Sequence, residues 1–279
     1  MKLLRALSLV ASLIPAALSA QGVLVAPTGI FIDPRTHGGS VELYNPGSDP
    51  VEVSISTAFG YPVTDSLGRV TLHMENAPAS TVPSSASWID AFPRRLVVPA
   101  HERRTVRLLA RPPITLRDGE YWSRLVVEAK GGQIALQSPS DSMGLHVGLT
   151  LDVRTIVAVF YRVGHVSTGL TMTDARAHVA HDSVDVCASF TRHGNAAFLG
   201  ALHVALSSGA RTPATAVSVP LAVYYALAPC VAIPARSLAP GRYVAHLLVD
   251  TDRSDLQRTL LLPIAPLRDS VIVTVPSPR

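Results

Sequence analysis

From Met143 to His165 the chain reads MGLHVGLTLDVRTIVAVFYRVGH, the longest strand-like run in the sequence. In its first half Leu145, Val147, Leu149, Leu151 and Val153 share one parity, while Gly144, His146, Gly148, Thr150, Asp152 and Arg154 share the other. A period of two gives an extended strand one apolar face and one small or polar face. The second half, Ile156 to Tyr161, is apolar on both parities, as in a strand buried on both sides. The fold must therefore sandwich one end of this strand and find a cover for the apolar stripe at the other. No long segment keeps a 3.6-residue apolar period, and the 22 prolines fall among runs rich in Val and Thr. Short strands and turns, and so an all-β fold, are expected.

Residues 1–20 have the form of a secretory signal peptide: Lys2 and Arg5 precede an apolar stretch from Leu7 to Leu18, with a small residue, Ala20, at its end. The apolar run is shorter than the roughly 18–20 residues a spanning helix needs, so no integral membrane segment is expected after the signal is removed. Lys2 and Arg5 leave with the signal, which takes two charges from the formal net of +4. With aromatic residues at 5% and no basic run interleaved with them, a nucleic-acid partner is not expected. The rest of the chain suffices for two domains of roughly 100–150 residues each.

Two hexapeptides share the form Leu-x-x-Gly-x-Tyr: Leu116 to Tyr121 and Leu238 to Tyr243. Each runs into an alternating segment, Trp122 to Glu128 and Val244 to Val249. In immunoglobulin-like sandwiches a tyrosine at such a corner bonds back to the upstream backbone. Two copies predict two immunoglobulin-like β-sandwiches in tandem, over 21–164 and 165–279. In the first unit Gly22 to Asp33, broken by Pro27 and Gly29, reads as one kinked edge strand. Ser40 to Tyr44 and Val51 to Ser56 flank an Asn-Pro-Gly turn, and Ala77 to Ala86 reads as a flexible surface loop. In the second unit strands are expected near 169–180, 183–192, 198–207, 214–225, 230–234, 242–250 and 257–264, with Asp269 to Val275 able to add a further edge strand.

Cys187 and Cys230 each sit on the outward parity of a predicted strand, so they could bridge across a strand pair in an oxidising compartment; two unpaired thiols are the alternative. No pattern of catalytic residues is present: there is no Gly-x-Ser-x-Gly, His-Glu-x-x-His, Gly-x-Gly-x-x-Gly or phosphate loop. His178 and His181 would fall on opposite faces of a strand, which opposes a metal site. Glu75 and Asp90 have no partner pattern marking an acid–base pair. The Arg94-Arg95 and Arg103-Arg104 doublets read as edge-strand charges that block unwanted pairing. An enzyme is not expected, nor a cofactor.

Three segments carry a resemblance to a known family: SVELYNPGSDPVEV, WIDAFPRRLVVPAHERRTVRLLA and LTLDVRTIVAVFYRVG, the last with its Phe160-Tyr161-Arg162 ending. Over most of residues 22–165 the chain resembles the periplasmic pilus chaperones, the PapD-like proteins, as a divergent member; the second unit resembles them in sandwich pattern only. The resemblance implies a periplasmic chaperone that lends a β-strand to an incomplete pilin-like or surface subunit, with an outer-membrane usher as a possible second partner. It maps the donated positions onto Leu145, Val147, Leu149, Leu151 and Val153, and gives Arg162 a structural role at the domain junction. The alternative for the stripe is that it fills the first domain's own core, and the rival function is a non-catalytic structural or adhesive module of the cell envelope.

The resemblance also implies two basic residues that clamp the client's C-terminal carboxylate. Gly29 and Ala158 stand at those positions, and neither can bind an anion. Either the anchor has moved, with Arg154 or Arg35 as candidates, or the client is not held by its C-terminus.

Overall fold

The computed structural model describes residues 22–135, 148–180, 182–209 and 214–277. The expected signal segment, residues 1–20, therefore lies outside the described residues. The first sandwich is built from β1 (Leu24–Ala26), β2 (Gly29–Ile32), β3 (Gly38–Tyr44), β4 (Val51–Thr64), β5 (Val70–Glu75), β6 (Ile89–Phe92), β7 (Arg95–Val98), β8 (Arg103–Ala110), β9 (Gly119–Ala135) and β10 (Gly148–Val163). The second contains β11 (Thr168–Ala180), β12 (Ser183–Gly194), β13 (Phe198–Ser207), β14 (Thr215–Val223), β15 (Ala226–Leu227), β16 (Cys230–Pro234), β17 (Gly241–Asp250) and β18 (Leu267–Val275).

In the first sandwich one sheet has the order β1-β3-β8-β6 and the other β2-β10-β9-β4-β5, with β7 also on β4. Alternation drives the packing. On β8, Val106, Leu108 and Ala110 are buried while Arg103, Thr105, Arg107 and Leu109 face out. The inward residues of both sheets, among them Leu43, Val53, Val106, Leu125, Val127 and Val159, form one core. The second sandwich pairs β11-β12-β15, with β16 also on β12, against β14-β13-β17-β18. Its core is separate, centred on Val184, Val186, Phe190, Leu202, Leu206 and Ile233. Burying each such side chain contributes about 1.5–3 kcal/mol. The all-β, two-sandwich class expected from the sequence is the observed one.

Both corner tyrosines close on the backbone four residues upstream: Tyr121 Oη donates to the Arg117 carbonyl at 3.0 Å, and Tyr243 Oη to the Ala239 carbonyl at 2.9 Å. Other expectations are corrected. Residues 22–33 form two edge strands, because the chain switches sheets at Pro27: β1 pairs β3 antiparallel, whereas β2 pairs β10 in parallel. The strand expected near 257–264 is a short 3-10 turn, Arg258–Leu260, within irregular chain. Its apolar residues cover the domain junction, and the last ladder is made by β18 on β17. Arg103 and Arg104 lie on β8, paired with β3 but short of β6, which reaches β8 only at Arg107–Ala110, and Arg103 pairs with Glu42 across the β3–β8 ladder. The 77–86 loop is tied down: Ser85 N donates to the Trp122 carbonyl at 2.9 Å and Trp122 N to the Pro83 carbonyl at 2.8 Å.

Candidate functional site

β10 runs antiparallel to β9 along its whole length, from Gly148 opposite Ala135 to Val163 opposite Gly119. The register shifts between Thr150 and Asp152, where Gly131 and Gly132 of β9 oppose Leu151 alone, a bulge that two glycines accommodate readily. On its other edge β10 meets β2 only at Ala158–Tyr161. From Gly148 to Val157 that second edge therefore has no strand upon it among the described residues. An unpaired edge offers a row of N–H and C=O groups to another chain.

The five stripe residues stand differently with respect to this edge. Leu145 and Val147 lie outside the described residues, and Leu149 and Leu151 are placed by backbone register alone. Val153 is half-buried, beneath the chain at Gly22, where an added Cβ would meet its methyls at 3.6 Å. The odd parity continues into Val157, Val159 and Tyr161, which belong to the first core. The even parity turns toward the second sandwich: Ile156 is 40% exposed, Ala158 is half-buried and Phe160 is buried.

Behind the open edge the two sandwiches meet over a third apolar cluster. Phe59, Trp122 and Phe160 of the first pack with Ala197, Leu199 and Tyr224 of the second. A buried carboxylate organises it. Glu120 Oε2 accepts from Arg162 Nε at 2.7 Å, and Oε1 accepts from Trp122 Nε1 at 2.7 Å and Ala197 N at 3.0 Å. Arg162 also donates to the Leu260 carbonyl at 2.8 Å and lies 4.2 Å over the Phe31 ring. Arg162 thus ties together β2, β9, β10 and the irregular segment after β17. Burial pushes the Tyr224 phenol up to about 12, against the opposing pull of the Arg124 guanidinium.

Gly29 and Ala158 are register partners across the parallel β2–β10 pair, and Arg124 is the next residue in the same row, on β9. The Leu256 side chain fills the space over Gly29, with Cδ2 3.0 Å from where a Cβ would stand. The place is apolar and occupied from within the chain. Neither proposed replacement anchor is free beside it. Arg154 donates through Nε and Nη2 to Glu128 Oε1 at 3.2 and 3.1 Å, and Arg35 lies exposed in the β2–β3 turn. The cation that the sequence reading passed over is Arg124. It is buried, with Nε donating to the Gly60 carbonyl at 2.9 Å, and its Nη2 has no hydrogen-bond partner among the described residues. Its parity with Trp122 was the available signal, since Trp122 marks the face of β9 turned to the junction.

Cys187 and Cys230 are cross-strand partners on β12 and β16 and are joined by a disulfide. Their side chains lie on the outer face of that sheet; Cys187 is 1% exposed, and the β4–β5 turn packs against the half-buried Cys230. His178 lies 3.9 Å from the Asp185 carboxylate, and His181 is outside the described residues. Asp90 is held by Arg94 and Arg111. Among the described residues no group of three or more His, Cys, Asp or Glu side chains could hold a metal ion, and no helix is long and apolar enough to cross a membrane.

No protein-family model and no curated protein matches the sequence. Solved structures similar to this chain include the YadV chaperone, at 14% identity over 90% of this chain and 98% of that one, TM-score 0.45. A chain of the CsuC–CsuE chaperone–tip adhesion subunit pre-assembly complex of the archaic Csu pili of Acinetobacter baumannii is similar at 14% identity over 90% and 98%, TM-score 0.44. A chain of the Salmonella enterica SafA pilin–SafB chaperone complex is similar at 13% identity over 90% and 97%, TM-score 0.40.

Proposed function

We propose that this chain is a periplasmic assembly chaperone for pilin-like or other surface-exported subunits, acting by donation of a β-strand. The observation that carries the reading is the β10 edge, unpaired among the described residues from Gly148 to Val157 on a strand whose apolar residues from Leu145 to Val153 share one parity. A client sandwich that lacks a strand would pair its backbone with this edge, and its open core would receive the side chains of Leu145, Val147, Leu149, Leu151 and Val153. Main-chain hydrogen bonds supply affinity in such augmentation, and pockets for alternate side chains supply specificity. The step is non-covalent and needs neither cofactor nor nucleotide. With Leu256 over Gly29 and no cation at Ala158, the client is held by ladder and stripe rather than by a carboxylate clamp at those two positions. An outer-membrane usher would receive the loaded complex.

The test is co-purification from the periplasm with the wild-type chain and with the double variant Leu149→Glu, Leu151→Glu, with circular dichroism as the check on folding. The reading expects a small β-rich partner to come down with the wild type and to be lost from a folded variant. A variant that unfolds would assign the leucines to the first core and refute donation through them. A folded variant that keeps its partner would refute it equally.

A further inference from the structure

The turn between β4 and β5 belongs to the first sandwich but ends on the second. Gly68 O accepts from Cys230 N at 2.9 Å, and Thr64 Oγ1 accepts from Ala228 N at 3.1 Å, so the hairpin bonds the chain on both sides of Pro229. Its tip is held in shape by its own hydrogen bonds. Asp65 Oδ1 accepts from Leu67 N at 2.8 Å and Arg69 N at 2.9 Å, and Asp65 N donates to the Arg69 carbonyl at 3.0 Å. Gly68 has φ +75°, a left-handed conformation that glycine adopts without penalty, and a Cβ there would overlap the Cys230 sulfur and stand 2.9 Å from its Cβ. The tip therefore seats directly on the disulfide. Farther down the same hairpin, Tyr61 meets Tyr225 edge-on at 4.8 Å and extends the contact into the junction cluster.

We propose that the β4–β5 hairpin is a latch seated on the Cys187–Cys230 disulfide, so that reduction of this disulfide and release of the hairpin from the second sandwich are one coupled event. Thiol–disulfide exchange requires a thiolate to reach a disulfide sulfur. Cys187 is 1% exposed, and Cys230, half-buried, carries Gly68 against its sulfur, so lifting of the hairpin opens the approach of an external thiolate. Coupling runs the other way by the same geometry. Two separate thiols cannot remain at bonding distance, and the sulfur of Cys230 has no room on the Gly68 side, so the reduced pair favours the lifted hairpin. For a dithiol reductant the balance closes. One thiolate opens the S–S bond to a mixed disulfide, the second displaces the cysteine, two electrons pass to the protein sulfurs, and both leave as thiols while the reductant becomes a cyclic disulfide. The fold would thus carry a redox-sensitive latch between its sandwiches.

The experiment measures reduction of the oxidised full-length chain by dithiothreitol in native buffer, quenched with acid and read by maleimide gel shift. Gly68→Val, which cannot seat, is expected to be reduced at least tenfold faster than wild type, and Leu67→Ser, at an exposed tip position, at the wild-type rate. Thr64→Val, which removes one latch hydrogen bond, serves if Gly68→Val fails to fold. The Cys230 amide, bonded to Gly68, is expected to exchange with deuterium at least tenfold faster in the reduced and alkylated protein. Equal reduction rates in wild type and latch variant, or equal protection of the Cys230 amide in both redox states, would overturn the proposal.

Discussion

Removing the Arg162 side chain would leave the Glu120 carboxylate buried with only the Trp122 and Ala197 N–H groups to face it. Breaking a buried pair from one side costs about 3–5 kcal/mol, because the remaining charge is uncompensated. Arg162→Ala should lose stability of that order in urea unfolding, whereas a loss under about 1 kcal/mol would mean that water solvates the carboxylate and that the pair is no keystone. Much of this residue-scale arrangement was not legible in advance. Phe160-Tyr161-Arg162 drew attention to Arg162, but Glu120 was only the variable position in Leu-x-x-Gly-x-Tyr, and nothing local distinguishes a glutamate that will be buried. Arg124 was missed for a similar reason. Its neighbours mark the strand, while its burial is decided by Tyr224, far away in the sequence.

At the scale of elements, parity carried the reading and long-range covering defeated it. β8, β10, β12 and β17 alternate, and their inward residues are the ones that two periodicities, 2.0 and 3.6, allow a reader to separate. The segment 257–264 misled because an apolar run that caps another domain looks like a strand. Leu256 and Leu261 pack on the junction cluster, and the Leu260 carbonyl serves Arg162. The meeting of β2 with this segment is testable. Gly29→Val should cost about 1–3 kcal/mol by overpacking, since a side chain there collides with Leu256. Pairing it with Leu256→Ala should recover part of that cost, with a coupling of about 0.5 kcal/mol or more in a double-mutant cycle. Strictly additive losses would place the two side chains out of contact.

For the whole molecule, two separate cores meet through one buried polar and aromatic junction, and the candidate edge projects from it. The stability of that junction should depend on alkaline pH. Tyr224 is raised from 10.0 to about 12 by burial, so the folded state keeps its neutral phenol while the unfolded chain ionises first. The contribution is complete below pH 10 and lost as pH rises toward 12. The wild-type melting temperature should therefore fall more steeply than that of Tyr224→Phe across this window; parallel curves would place the phenol in water. The two-sandwich plan was legible from the repeated corner motif because each copy encodes a local hydrogen bond. The angle and the contacts between the sandwiches were not, because they arise from residues with no local pattern.

Donation of β10 is tested by residue-resolved amide exchange of the free chain and of the chain bound to a captured subunit. The outward-pointing amides between Gly148 and Val157 are expected to exchange freely in the unbound protein and to become protected in the complex, while those bonded to β9 are protected in both. Outward amides already protected in the free chain, or unchanged on binding, would contradict donation of this strand.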